Sequence, residues 1–235
     1  DRHRIHIDAG NLSLAQEVPT IRPALVLLAV KSAATAEAAR RLARALPAGT
    51  PVLSLQNGIA NLAAARAAAP ALEWIAGMVP FNVAELAPGC FHRGTGGTLA
   101  ASTHPRLREW QPLFARAGLP LRLHADMRGV LWAKLLLNLN NPVNALSELP
   151  LREQLLTRGY RRVLAALQDE ALRVLDAARI EPARLTPLPA RWLPTVLRLP
   201  TPLFRLAAAR LLRIDAKARS SMADDLAHGR ITEID

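Results

Sequence analysis

Ala24-Leu25-Val26-Leu27-Leu28-Ala29-Val30 is a short, uninterrupted apolar run that stops at Lys31-Ser32. A run of that kind marks a strand buried on both faces of a parallel sheet. Downstream, residues 35–46 carry helical periodicity and close at Pro47 and Gly49. Pro51-Val52-Leu53-Ser54-Leu55 then reads as a second buried strand ending at Gln56-Asn57-Gly58. A short alanine-rich helix follows, and strand-like pieces recur near residues 74–79, 90–92, 98–101 and 119–123. Upstream, Ile5 and Ile7 alternate with polar neighbours as in a half-exposed strand. Apolar strands alternating with helices predict a doubly wound α/β half-domain finished by a more antiparallel edge.

From residue 126 the strand signals vanish. Asp126 is placed to N-cap a long helix through Trp132 and Leu139. Residues 152–178 carry Leu155, Val163, Leu164, Leu167, Leu172, Val174 and Leu175 at the spacing of one long amphipathic helix. Six prolines between 181 and 202 require a loop or broken helices there, helical character returns over 203–226, and Gly229 supplies a C-cap. The expected organisation is α/β then all-α, with a domain over 1–125 and a helical domain over 126–235.

Composition bounds the function. Of 235 residues, 51% are hydrophobic and 21% charged, which excludes a disordered polymer. No apolar run approaches the roughly 20 residues a bilayer span needs, so no membrane association is expected. The one cysteine, Cys90, cannot form an internal disulfide, which fits a reducing, cytoplasmic setting. The chain opens on Asp1 with no signal segment and reads as continuing upstream. A net charge of +11 invites nucleic acid, yet the arginines are dispersed at helical spacing among alanines and leucines, and aromatics are only 4%. Solvated helix faces account for that charge better than a nucleic-acid site. Only three lysines occur, Lys31, Lys134 and Lys217, so a lysine here marks a place where a compact ammonium with a movable pKa is useful.

The dinucleotide fingerprint G-x-G-x-x-G is absent; Gly94, Gly96 and Gly97 lie between strand-like pieces and read as a turn. The segment 127–146 is apolar nearly all round, yet Lys134, Asn138 and Asn141 share one stripe of it. Two readings stay open: a salt-bridged core lysine with satisfied amides, or a buried lysine in use. Pro142 cannot donate to the carbonyl of Asn138 and should kink the helix there. Gln56-Asn57-Gly58 and Lys31 both end parallel strands, the edge where open α/β sheets bind ligands. Asn-Gly is equally an ordinary turn, and Lys31 equally a solvated cation. Thr232 followed by Asp235 reads as a capping box opening a further helix, with Glu233 in its first turn; the carboxyl end therefore also reads as continuing.

Ala29-Val30-Lys31-Ser32, Leu55-Gln56-Asn57-Gly58, Trp132-x-Lys134-Leu135-x-x-Asn138, Ser220-Ser221-Met222-x-x-Asp225 and Thr232-Glu233-Ile234-Asp235 together resemble, in order, the ketopantoate reductases (2-dehydropantoate 2-reductases). The resemblance implies a Rossmann-like domain, here without its glycine fingerprint, then a helical domain like that of 6-phosphogluconate dehydrogenase. It implies NADPH-dependent reduction of 2-dehydropantoate to pantoate in pantothenate biosynthesis. Lys134 would be the general acid, and Glu233 would bind the substrate hydroxyl or its polar surroundings. Asn138, Asn141 and Ser221 would bind substrate. Asn57 would serve substrate and nicotinamide ribose, and Lys31 the cofactor phosphates. No metal is implied. The family places a second asparagine eight residues after its lysine, where this chain has Pro142 and Asn141 one step earlier. A silent remnant of the family, a reductase of another 2-keto acid and a nucleic-acid module are the rival readings. A large helical domain suits a homodimer.

Overall fold

The computed structural model describes residues 5–209, 212 and 218–233. Strands β1 (Val26–Leu28), β2 (Pro51–Ser54) and β3 (Glu73–Met78) pair in parallel, in that order. Apolar side chains on both faces explain why: β2 is buried at every position, and Val52 and Leu53 are fully enclosed. Helices α1 (Thr35–Ala45) and α2 (Asn61–Ala68) make the two crossovers, and Ala39, Leu42 and Ala65 seal one face of the sheet. The hairpin β4 (Val83–Ala87) and β5 (Cys90–Arg93) stands outside this sheet. The sheet is then completed by β6 (Leu99–Ser102) and β7 (Leu121–His124). β6 runs antiparallel to β3, and β7 runs parallel to β6.

That parallel pair needs a crossover, supplied by α3 (Pro105–Arg116), an element the sequence reading does not contain. Pro112 inside it disguises the helical pattern, while Leu107 anchors it with no exposure at all. The half-exposed strand expected at Ile5 and Ile7 does not form: both side chains are exposed and the segment pairs with no strand. Gly94, Gly96 and Gly97 do lie in a loop between β5 and β6 with no helix after them.

Close packing at the sheet centre requires Gly77. A Cβ there would stand 2.7 Å from the Ser54 carbonyl oxygen and 2.9 Å from Leu53 and Leu55 side-chain carbons. Gly77→Ala therefore lowers stability by about 1–3 kcal/mol, read as an earlier midpoint in urea unfolding.

From α4 (Met127–Asn138) onward every described element is helical. Asp126 caps α4 as expected, accepting from the N–H groups of Arg128 and Gly129. The expected kink falls at Leu139, whose backbone stays right-handed helical: α4 ends at Asn138, and Pro142 becomes the third residue of α5 (Asn140–Ser147). In a first turn the missing N–H costs nothing, because that donor has no intrahelical partner. The single helix expected over 152–178 is also two, α6 (Leu151–Leu156) and α7 (Arg158–Ala177), parted at an extended Thr157. Arg161, fully buried, fills the notch. The proline-rich stretch holds a 3₁₀ turn, then α8 (Leu193–Arg198) and α9 (Thr201–Ala207).

The helix expected over 203–226 is interrupted, since residues 218–220 are not helical before α10 (Ser221–Ala227). Residues 210, 211 and 213–217, together with Asp235 of the expected capping box, lie outside the described residues. Gly229 adopts the left-handed conformation after α10, as its role as a stop requires. No helix among the described residues is long and apolar enough to cross a membrane.

Candidate active site

Parallel strands put their carboxyl ends on one edge of the sheet, and two predicted ligand-binding segments meet there. Lys31 leaves β1, and Gln56-Asn57-Gly58 leaves β2. Gln56 is buried and stitches the edge together: Nε2 donates to the Val30 carbonyl at 2.9 Å and to Thr35 Oγ1 at 2.6 Å. Gly58 turns with φ +91, and Asn57 is exposed beside it, its carbonyl accepting from Asn61 Nδ2. Beneath the loop a narrow crevice is lined by Ser54, Gln56, Gly58, Ile59, Leu62 and Leu131. Leu131 belongs to α4, which packs on β3 and β6, so the crevice lies between the sheet and the first helix of the helical lobe.

Lys134 sits one turn beyond Leu131 on the same stripe of α4. Burial lowers its pKa from the ordinary lysine value of 10.5. No carboxylate or other hydrogen-bonding partner reaches its Nζ among the described residues. Asn138 ends α4, half-buried. Position along the stripe therefore holds for the lysine and Asn138, whereas the kink at Leu139 restarts the helix before Asn141. The Asn141 carbonyl instead accepts from Ser220 Oγ at 3.2 Å, joining α5 to α10. Ser220, not Ser221, is the N-cap, and Ser221 is exposed at the first position of α10.

The anticipated residues at the lobe boundary are joined. Lys31 Nζ lies 2.6 Å from Asp225 Oδ2, and Glu233 Oε1 accepts from the N–H and hydroxyl of Ser32 at 3.0 and 3.1 Å. No described hydrogen bond joins Lys134 to Glu233, Ser221 or Asn57. Sequence reasoning gave no role to Asp225, Ser32 or Asn144. Asn144 is fully buried and accepts from the Ser220 N–H at 2.8 Å while donating to the Leu149 carbonyl. Its neighbours one turn away on α5, Asn140, Asn141 and Ser147, are polar too, so no local pattern singles it out.

A family model described as ketopantoate reductase PanE/ApbA matches residues 8–105, and one described as its C-terminal part matches residues 126–235. The chain belongs to the ketopantoate reductase family. A 2-dehydropantoate 2-reductase of Halobacterium salinarum is 30% identical over 217 residues, covering 90% of this chain and 65% of that protein. A ketopantoate reductase structure from Ralstonia eutropha JMP134 matches with TM-score 0.73 and 30% identity, again over 90% of this chain and 65% of the other. D-Mandelate dehydrogenase with NADH and anilino(oxo)acetate matches with TM-score 0.67 over 94% of this chain and 68% of its own, at 17% identity, a likeness of fold. The chain thus spans about two thirds of these relatives' length.

Proposed function

We propose that this chain carries the nicotinamide-facing edge and the catalytic helix of an NADPH-dependent reductase of 2-dehydropantoate. The observation that carries the reading is Lys134: a half-buried ammonium with no carboxylate against it among the described residues, on the helix that walls the crevice at the ligand-binding edge. Family membership supports the same reading.

The narrow crevice, lined by apolar Ile59, Leu62 and Leu131 and by Gln56 and Asn61, marks the sheet edge that the nicotinamide end would approach. Asn57 would hold the ribose and substrate, and Lys31 would meet a phosphate with the donors Asp225 leaves free. A nicotinamide held at this edge would supply the hydride taken up by the keto carbon. The keto oxygen gains the electron pair of its π bond, and Lys134 transfers its proton to that alkoxide, leaving a neutral amine and the 2-hydroxy acid. An ordinary lysine holds its proton too tightly for this; burial brings its pKa towards the operating pH, where general acids work best. Asn138 and Asn141 orient the keto acid, Ser221 takes its carboxylate, and Glu233 its hydroxyl.

The test is consumption of NADPH by the purified protein on adding 2-dehydropantoate. Turnover dependent on both compounds supports the reading; failure to bind NADPH at millimolar concentration contradicts it. In the same assay Lys31→Ala raises the Kd for NADPH about tenfold, the worth of one charge-assisted contact, and leaves kcat nearly unchanged. Nicotinamide fluorescence titration measures it.

A further inference from the structure

The polar cluster that the reaction leaves unexplained is the seam between the lobes. Consecutive residues Lys31 and Ser32 of the sheet lobe reach two acids of the helical lobe, Asp225 and Glu233. The Asp225 side chain is only 6% exposed, and its second oxygen meets Arg230 Nε at 3.1 Å, so it is pinned by two cations. Ser32 is held from behind by a directional array. Ser54 Oγ donates to Gln56 Oε1 at 3.0 Å, and Gln56 Nε2 donates to Thr35 Oγ1 at 2.6 Å. Thr35 Oγ1 donates to Asn61 Oδ1 at 2.9 Å, and Asn61 Nδ2 donates to Ser32 Oγ at 3.1 Å. The array starts on the crevice wall, and Ser32 ends it by donating both its protons to Glu233 Oε1.

We infer that Ser32 is a positioning residue for Glu233: it commits one carboxylate oxygen to the sheet lobe and leaves Oε2, which has no partner among the described residues, aimed for a hydroxyl of the substrate. The inference rests on the proposed reaction. Each bond in the array leaves the next hydroxyl a better donor, which stiffens the chain as a whole. Hydrogen bonding to a charged acceptor is stronger than between neutral groups, so the aim of Glu233 depends measurably on one hydroxyl. The Lys31–Asp225 pair keeps the seam closed while Ser32 sets the carboxylate. Selectivity for a hydroxylated 2-keto acid would then be built partly by the sheet lobe, which never touches that hydroxyl.

The experiment compares Ser32→Ala and Ser32→Thr with the parent on two substrates, 2-dehydropantoate and the analogue lacking only its hydroxyl. Ser32→Ala is expected to raise KM for the hydroxylated substrate about tenfold and that for the analogue less than about twofold, with Ser32→Thr recovering most of the loss. Equal changes on both substrates, or none on either, would overturn the positioning role. A second arm needs no turnover: amide hydrogen exchange at Ser32 should quicken at least about tenfold in Glu233→Ala, because that N–H donates to the carboxylate. Unchanged exchange overturns the contact. A parent inactive on both substrates with quickened exchange upholds the contact and sinks the reaction assigned to the site.

Discussion

Lys134→Ala lowers kcat for keto-acid reduction by about 10²–10⁴-fold, the usual contribution of a positioned general acid, while NADPH binding changes little. In the proposed reaction the lysine would meet the reacting oxygen only as charge develops there, so its loss should fall on turnover rather than on cofactor affinity. The pH dependence has a definite sign. The proposed proton transfer requires the ammonium, so kcat should be level at low pH and fall as pH rises through the lowered pKa, below 10.5. Stability moves the opposite way. With the folded pKa depressed, the unfolded chain binds more protons between that pKa and 10.5, so the parent gains stability as pH climbs through the interval. Lys134→Met, apolar and of similar length, should therefore raise Tm at neutral pH, with an advantage that shrinks as pH approaches 10.5. Thermal melts across that range check it, and a lower Tm for the methionine variant would contradict burial of an uncompensated ammonium.

Arg161→Met is expected to cost roughly 3–5 kcal/mol, the scale of breaking a buried, fully satisfied charged network. All five guanidinium donors are used. Nε donates to the Leu197 carbonyl at 3.0 Å, and Nη1 donates to those of Leu155 and Leu156 at 2.9 and 3.0 Å. Nη2 donates to the Leu199 carbonyl at 3.0 Å and to Thr201 Oγ1 at 3.2 Å. These carbonyls are the ends of α6 and α8, where helices leave acceptors unpaired and carry partial negative charge. The group also lies over Phe204, 4.3 Å from the ring centroid. No carboxylate pairs with it among the described residues, so helix ends act as its counter-charge. Methionine keeps the stem but orphans the acceptors. At about 2–4 °C per kcal/mol for a chain of this size, Tm should drop by about 10 °C. Arg161→Lys should recover only part of this, because three donors cannot reach five acceptors. A methionine variant melting with the parent would show that the break at Thr157 needs no such staple.

The difference between what was legible in the sequence and what was not follows from burial and distance. β1, β2 and β3 were readable because enclosure on both faces demands an unbroken apolar run. Val83–Ala87 forms an exposed hairpin strand, and nothing in its surroundings imposes a pattern to read. The break at Thr157 was hidden because apolar spacing runs through it, and the residue that secures it reads as one more surface arginine. Lys134 was legible as an ionisable group on a greasy helix. The pairings at the lobe seam were not: Lys31 meets Asp225 across 194 residues and Ser32 meets Glu233 across 201, distances at which no local spacing speaks. The motifs placed those residues in order, and only the fold paired them.

With three lysines in the chain, the side-chain carbon next to each ammonium gives a resolvable NMR signal whose shift follows protonation. The decisive measurement is a pH titration of those signals, assigned by the loss of one in Lys134→Ala. The account predicts that the Lys134 signal titrates clearly below the ordinary lysine value of 10.5. A Lys134 signal that holds its proton up to 10.5 would contradict the claim that burial readies this lysine to give its proton away.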